Sequence, residues 1–156
     1  MAPSVDELDC RLIAALAAEP RASVVDLARQ LGVARGTIQS RLDKLIQRLI
    51  ITGFGPEVDL QALGYDVTAF TTLEIAQGRL GDVVDHLQVI PEVLEVHSVT
   101  GSGDLLCRIV ARTNGHLQEV INRILEVGGI GRTTTVIALA PQIPLRTLPI
   151  IEATAG

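Results

Sequence analysis

The sequence predicts an α+β fold in which a helical N-terminal unit precedes a βαββαβ unit, and three observations carry that prediction. Residues 21–50 hold two short helical patterns that meet at Gly32. From residue 65 the apolar period shortens to two, the spacing of a strand whose side chains alternate between faces. Two strand-helix-strand blocks then follow one another, joined by Gly101-Ser102-Gly103. At 156 residues and 47% hydrophobic content, the chain can bury one good core or two small ones joined by a linker.

The first helix opens at Ser4-Val5-Asp6-Glu7, where Ser4 can cap it, and runs to Pro20 with Leu8, Leu12, Ile13 and Leu16 on one apolar side. Ser23-Val24-Val25-Asp26 has the capping-box pattern for a second helix. Ala28, Gly32 and Ile38 then set the geometry of a helix-turn-helix. Ala28 is small enough for two helices to approach, Gly32 tolerates the positive φ of a sharp turn, and Ile38 packs the third helix back onto the second. Val24, Leu27, Leu31, Leu42 and Leu45 fill the apolar positions around them. Residues 1–52 therefore form a three-helix unit.

Charge separates this unit from the rest. Residues 21–50 carry Arg21, Arg29, Arg35, Arg41, Lys44 and Arg48 against Asp26 and Asp43, a local +4 within a chain of net charge −5. Phosphate neutralisation needs only one cationic face, so an acidic protein can still bind DNA through such a segment. On the third helix, Arg35, Thr37, Gln39, Ser40, Arg41, Lys44 and Arg48 are expected on the side away from the apolar residues. Arg can bridge guanine acceptors, Gln can pair with adenine, and Ser or Thr can meet bases or phosphates. A plain solvated helix face would look similar, and the Ala28, Gly32, Ile38 spacing is what favours the DNA reading.

Residues 53–64 hold Gly53, Gly55 and Pro56 in the composition of an extended connector. The second unit spans 65–140. Strands are predicted over Tyr65–Ala76, Glu92–Thr100, Asp104–Arg112 and Arg132–Ala140. Helices are predicted over Leu80–Ile90 and Asn114–Val127, from the spacing of Val83, Val84 and Leu87 and of Leu117, Val120, Ile121 and Ile124. Duplicated strand-helix-strand blocks joined by a hairpin make the ferredoxin-like split arrangement, an antiparallel sheet with both helices on one face. Alternation leaves the other face substantially apolar through Phe70, Leu106, Val110 and Val136. A second copy of the same sheet is the simplest cover for it, and the resulting homodimer would pair two DNA-reading helices about a two-fold axis. Residues 141–156, with Pro141, Pro144 and Pro149, are expected to be a tail without a continuous helix, disordered or reaching a neighbour.

Cys10 and Cys107 are isolated in sequence and read as buried free thiols. No run approaches a membrane span and no cationic leader precedes an apolar stretch, so a cytoplasmic protein without a membrane partner is expected. His86, His97 and His116 lack ligand spacing and read as three unrelated structural histidines, with no metal, no cofactor and no catalytic constellation implied.

The domain order resembles that of the leucine-responsive/asparagine-responsive (Lrp/AsnC, feast/famine) transcription regulators. So do the run Asp6-Glu7-Leu8-Asp9 and the run Val99-Thr100-Gly101-Ser102-Gly103-Asp104. The resemblance covers residues 4–140. It implies a (winged) helix-turn-helix domain, a RAM-type βαββαβ domain, dimers that assemble further to octamers, and a small effector, commonly an amino acid, held between dimers. It points to Gly101, Ser102, Gly103 and Asp104 as effector contacts, with Thr133, Thr134 and Thr135 of a neighbouring subunit beside them. A Gly-rich turn can aim backbone N–H groups at a carboxylate, and Asp104 can pair with an ammonium. The alternative for this loop is a tight hairpin ending in an ordinary Asp.

Some residues depart from the family pattern. Ala34 stands where a capping Ser is usual, and Gly36 weakens the reading helix by about 1 kcal/mol relative to Ala. A Gly before the linker is missing in Leu49-Ile50-Ile51, and Leu105 replaces an aromatic residue. Two other functions fit the same layout. One is an architectural DNA-binding protein that needs no effector. The other is an enzyme resembling the haem-pathway decarboxylases, which would need His and Arg groups gathered in one pocket.

Overall fold

The computed structural model describes residues 5–154, as two compact units. One comprises the chain up to Glu57 together with the segment from Ile143 onward, and the other is Val58–Gln142.

The helical unit contains α1 (Glu7–Ala18), α2 (Val24–Leu31) and α3 (Arg35–Gln47). Asp6, rather than Ser4, caps α1: its side chain accepts the Asp9 N–H while the Asp9 side chain accepts the Asp6 N–H. Ser4 lies outside the described residues. Ser23 and Asp26 form the reciprocal box that opens α2. Gly32 ends α2 at φ 68°, and its N–H bonds to the Ala28 carbonyl, so the turn sits in the left-handed region that glycine occupies without strain. The core gathers Leu12, Ala15, Leu27, Ala28, Leu31, Ile38 and Leu45. Ile38 and Leu12 are both fully buried, and each such side chain contributes about 1.5–3 kcal/mol of burial. Among the described residues no strand lies between α3 and residue 67, so the wing implied by the resemblance is not formed and the unit is helical throughout.

The sheet unit follows the predicted order: β1 (Val67–Ile75), α4 (Leu80–Gln88), β2 (Val93–Ser98), β3 (Leu105–Ala111), α5 (Asn114–Leu125) and β4 (Ile130–Ala138). The sheet is antiparallel in the order β2-β3-β1-β4, which puts β1 and β3 in the middle. Ala69, Leu73, Leu105, Cys107 and Ile109 form the covered face with Val83 and Leu87 of α4 and Leu117, Val120 and Ile124 of α5. Thr71 is fully buried in that face, and its hydroxyl is satisfied at 2.9 Å by the Thr135 hydroxyl across the β1–β4 pair.

The other face is more mixed than alternation alone suggests. Phe70 and Val136 pair across β1 and β4 and are both exposed, but Phe70 also faces Arg108, which forms a 3.7 Å ion pair with Glu95 of β2. The apolar patch is thus bordered by a charged pair.

Two segments differ from expectation. Residues 60–64 are a tight turn rather than extended chain: Asp59 Oδ1 accepts the Gln61 N–H at 2.9 Å, the Tyr65 N–H reaches the Leu60 carbonyl, and Gly64 has φ 85°. Within 141–156, Leu148–Thr154 forms a helix, α6. Pro149 is its second residue, where a proline's missing N–H has no intrahelical partner to lose, so this proline starts a helix instead of breaking one. Helix α6 packs on α1, and the Cys10 thiol donates to the Ile151 carbonyl at 3.2 Å.

Candidate functional site

Helix α3 presents Arg35, Thr37, Gln39, Ser40, Lys44 and, at its C-cap, Arg48 at the surface of the helical unit. Ile38 and Leu45 are turned inward. Ala34 provides no side-chain cap, so the first turn relies on the Ala34 carbonyl accepting the Thr37 and Ile38 N–H groups. Gln39 donates to Asp43 at 2.8 Å, an i,i+4 bond that holds the amide along the helix surface.

Arg41 behaves differently from its predicted companions. Its guanidinium is turned back onto the start of α1, where it donates to Asp6 and, at 3.0 Å, to Asp9. The expectation that Arg41 lies on the outward polar face is therefore corrected. A long side chain at the border of the buried stripe has swung inward because two carboxylates await it there. The Arg41 bond holds the Asp6 carboxyl below the usual carboxylate range, and the two acids push the Arg41 guanidinium further up. No sequence spacing signals this contact, since the acids lie more than thirty residues upstream.

In the sheet unit, residues 101–104 link β2 to β3 at one end of the sheet. Gly101 has φ 119°, which a side chain would strain. Gly103 lies against β1: a Cβ there would sit 2.2 Å from Thr72 Cγ2 and 3.2 Å from the Leu73 carbonyl oxygen. The Asp104 N–H donates to the Leu73 carbonyl at 2.8 Å, and the Asp104 carboxylate accepts the Ile75 N–H at 2.6 Å. That N–H faces β3 just past the last β1–β3 pair, Leu73 with Leu105, so Asp104 satisfies a backbone group that lies beyond the end of that pairing. Asp104 is thus a structural acceptor, whatever else it binds.

The three threonines of β4 separate. Thr134 pairs with Thr72, beside Gly103, on the open face, whereas Thr135 turns to the covered face and its bond with Thr71, and Thr133 pairs with Leu73. Thr72 therefore lies between Gly103 and Thr134. Thr72 was not expected at the site, and only the register of β1 between β3 and β4 brings it there.

The histidines are less unrelated than their spacing suggests. Glu92 Oε1 lies 3.2 Å from His116 Nε2 and 2.7 Å from Arg123, while His86 Nε2 lies 2.7 Å from the Arg123 carbonyl. His86 thus meets Arg123 directly, and His116 is linked to it through Glu92. Because His116 Nδ1 accepts the Arg112 N–H at 3.1 Å, its Nε2 carries the proton toward Glu92. Burial works to raise the Glu92 carboxyl, but hydrogen bonds from Arg123, a backbone N–H and His116, with the Arg123 charge, together outweigh it and hold that group low. The two cysteines are buried free thiols, and burial pushes Cys107 up to about 11. No described helix is long and apolar enough to cross a membrane.

An AsnC-type helix-turn-helix domain matches residues 5–46, and an Lrp/AsnC ligand binding domain matches residues 68–147. The chain belongs to the Lrp/AsnC family. It is 34% identical to the regulatory protein AsnC of Escherichia coli K12, covering 92% of this chain and 95% of that protein. The solved structure of E. coli AsnC superposes with a TM-score of 0.86 at 32% identity, covering 93% of this chain and 99% of that one. A feast or famine regulatory protein from M. tuberculosis, solved in complex with L-methionine, gives a TM-score of 0.80 at 26% identity over 92% of this chain and 97% of its own. This Lrp/AsnC chain is accordingly a DNA-binding transcriptional regulator with the α+β architecture of its family.

Proposed function

We propose that this regulator reads DNA through Arg35, Thr37, Gln39, Ser40, Lys44 and Arg48 of α3 and responds to a free amino acid at the β2–β3 loop. The carrying observation for DNA is an exposed polar and cationic α3 face seated on a buried Ile38–Leu45 stripe behind a glycine turn. Lys44→Ala should weaken DNA binding and lower the slope of log affinity against log salt by about one, because one phosphate contact is lost. Binding and slope both unchanged would refute the assignment of this face.

For the effector, support comes from the Gly101–Asp104 turn packed on Thr72, with Thr134 alongside, and from L-methionine in the M. tuberculosis relative. The ligand's carboxylate is taken up by loop N–H groups and its ammonium by Asp104. The exposed Phe70 and Val136 support a homodimer built through the open sheet face, and effector occupancy between dimers then shifts assembly toward or away from octamers. The protein works as a non-enzymatic regulator in the cytoplasm. Calorimetric titration with the common amino acids, on the native chain and on Asp104→Ala, is expected to find one that binds the native chain and at least tenfold more weakly the variant. No binding by any of them would leave effector-independent architectural DNA binding as the better reading.

A further inference from the structure

We propose that α1, which lies outside the helix-turn-helix itself, sets the angle of the reading helix through a shared carboxylate clasp, Asp6 and Asp9 on Arg41. The two carboxylates divide their oxygens between two tasks. Asp6 Oδ1 accepts the Asp9 N–H at 3.0 Å and Asp9 Oδ2 accepts the Asp6 N–H at 3.2 Å, which is the capping box of α1. The remaining oxygen of each, Asp6 Oδ2 and Asp9 Oδ1, goes to Arg41 Nη1. Cap and clasp are therefore one network. Neither carboxylate can rotate toward solvent without breaking the start of α1, and the guanidinium meets an acceptor pair already fixed in direction.

A second bond from the same helix reaches the other arm of the motif. Arg11 donates to the Leu31 carbonyl at 3.3 Å, at the last residue of α2 and immediately before the Gly32 turn. Helix α1 thus holds α2 at its end and α3 at Arg41, on either side of the turn. Apolar packing through Ile38 and Leu45 sets the distance between helices and a crossing angle with about 15–20° of scatter, and directed charged bonds narrow rotation and register within it.

Charge argues against the simpler view that Arg41 is a phosphate contact. Two carboxylates surround one guanidinium, so the trio is net negative, and its Asp6 side chain is half exposed beside Arg41. Lys44 and Arg48 bring cations to the same depression, whereas the Arg41 charge is already committed to two acids. Such a trio beside a DNA-reading helix weakens binding electrostatically, and its contribution must therefore be geometric. Asp6, Asp9 and Arg41 are positioning residues.

The sign of one substitution separates the possibilities. Asp9→Asn and Asp6→Asn each remove a negative charge and keep an acceptor for the cap, so surface electrostatics alone would make DNA binding tighter. The clasp requires the reverse, a loss of about tenfold for Asp9→Asn and less for the more exposed Asp6→Asn. Arg41→Ala should weaken binding without changing the salt slope, and Arg41→Lys should recover part of the affinity by reaching one carboxylate. The full-length protein is used, with helix content checked by circular dichroism at the assay temperature. If Asp9→Asn lowers that content, Asp6→Asn decides. Equal or tighter binding by the folded Asp→Asn variant, or a slope lowered by about one in Arg41→Ala, overturns the clasp. This inference rests on α3 being the DNA-reading helix, and the two can fail separately. An unaffected Lys44→Ala refutes the reading face, whereas a Lys44 effect with tight-binding Asp→Asn variants refutes only the clasp.

Discussion

Ile38→Ala is expected to destabilise the helical unit by about 2–5 kcal/mol and to abolish DNA binding near physiological temperature. Ile38 is fully buried in the core that it shares with Leu12, Leu27, Leu31 and Leu45, so its truncation removes buried apolar surface and leaves a cavity that this packing fills only in part. A loss of that size is a large share of the 5–15 kcal/mol or so that holds a typical domain folded. The measurement is thermal or denaturant unfolding followed by helix content, with Val25→Ala as control. Val25 is 45% exposed on α2, and its truncation should stay within about 0.5 kcal/mol of the native chain. An Ile38→Ala protein as stable as the control would mean that α3 is not held by this core.

The second large effect is expected at Gly103. Any Cβ there would overlap Thr72 Cγ2 and press on the Leu73 carbonyl oxygen, and Thr72 is a β-branched strand residue with few other rotamers. Gly103→Val should cost about 1–3 kcal/mol through overpacking and push the loop off β1, which breaks the Asp104 N–H bond to Leu73. Amino-acid binding should be lost altogether, while DNA binding by the folded variant at low temperature should persist because Gly103 lies outside the helical unit. Native-like unfolding of the variant would show that Gly103 does not pack against Thr72.

Periodicity was the dependable signal for the fold. Alternation over Val67–Ile75 and Leu105–Ala111, helical spacing through Val83–Leu87 and Leu117–Ile124, and Gly32 at the turn each express a backbone geometry that repeats locally, so each could be read from neighbouring residues. Features that depend on where distant chain segments meet could not. Arg41 belonged to the basic series on α3 by composition, yet its end point was decided by Asp6 and Asp9 on another helix. Asp104 was legible as part of a turn, but not as the acceptor for Ile75, because nothing in the run 101–104 announces that β1 runs on past its last pair with β3. Thr72 joined the candidate effector loop for the same reason.

Pro149 shows a different kind of miss. Proline breaks a helix from its interior, but at that place in the chain it is a first-turn residue, where no N–H is needed. Without that distinction the last segment looks like an irregular tail. With it, Leu148–Thr154 becomes a short helix whose backbone carbonyl at Ile151 satisfies the Cys10 thiol.

The thiol bond between Cys10 and Ile151 also bears on how this molecule can be divided. The DNA-reading half is discontinuous in the gene product: it begins with α1 and is completed only after the whole sheet half has been synthesised. A fragment cut after Glu57 would contain the entire helix-turn-helix and still be an unfinished body, with the α1 surface that α6 covers left bare to water. On a ribosome the same order means that α1 emerges long before the helix that seals it.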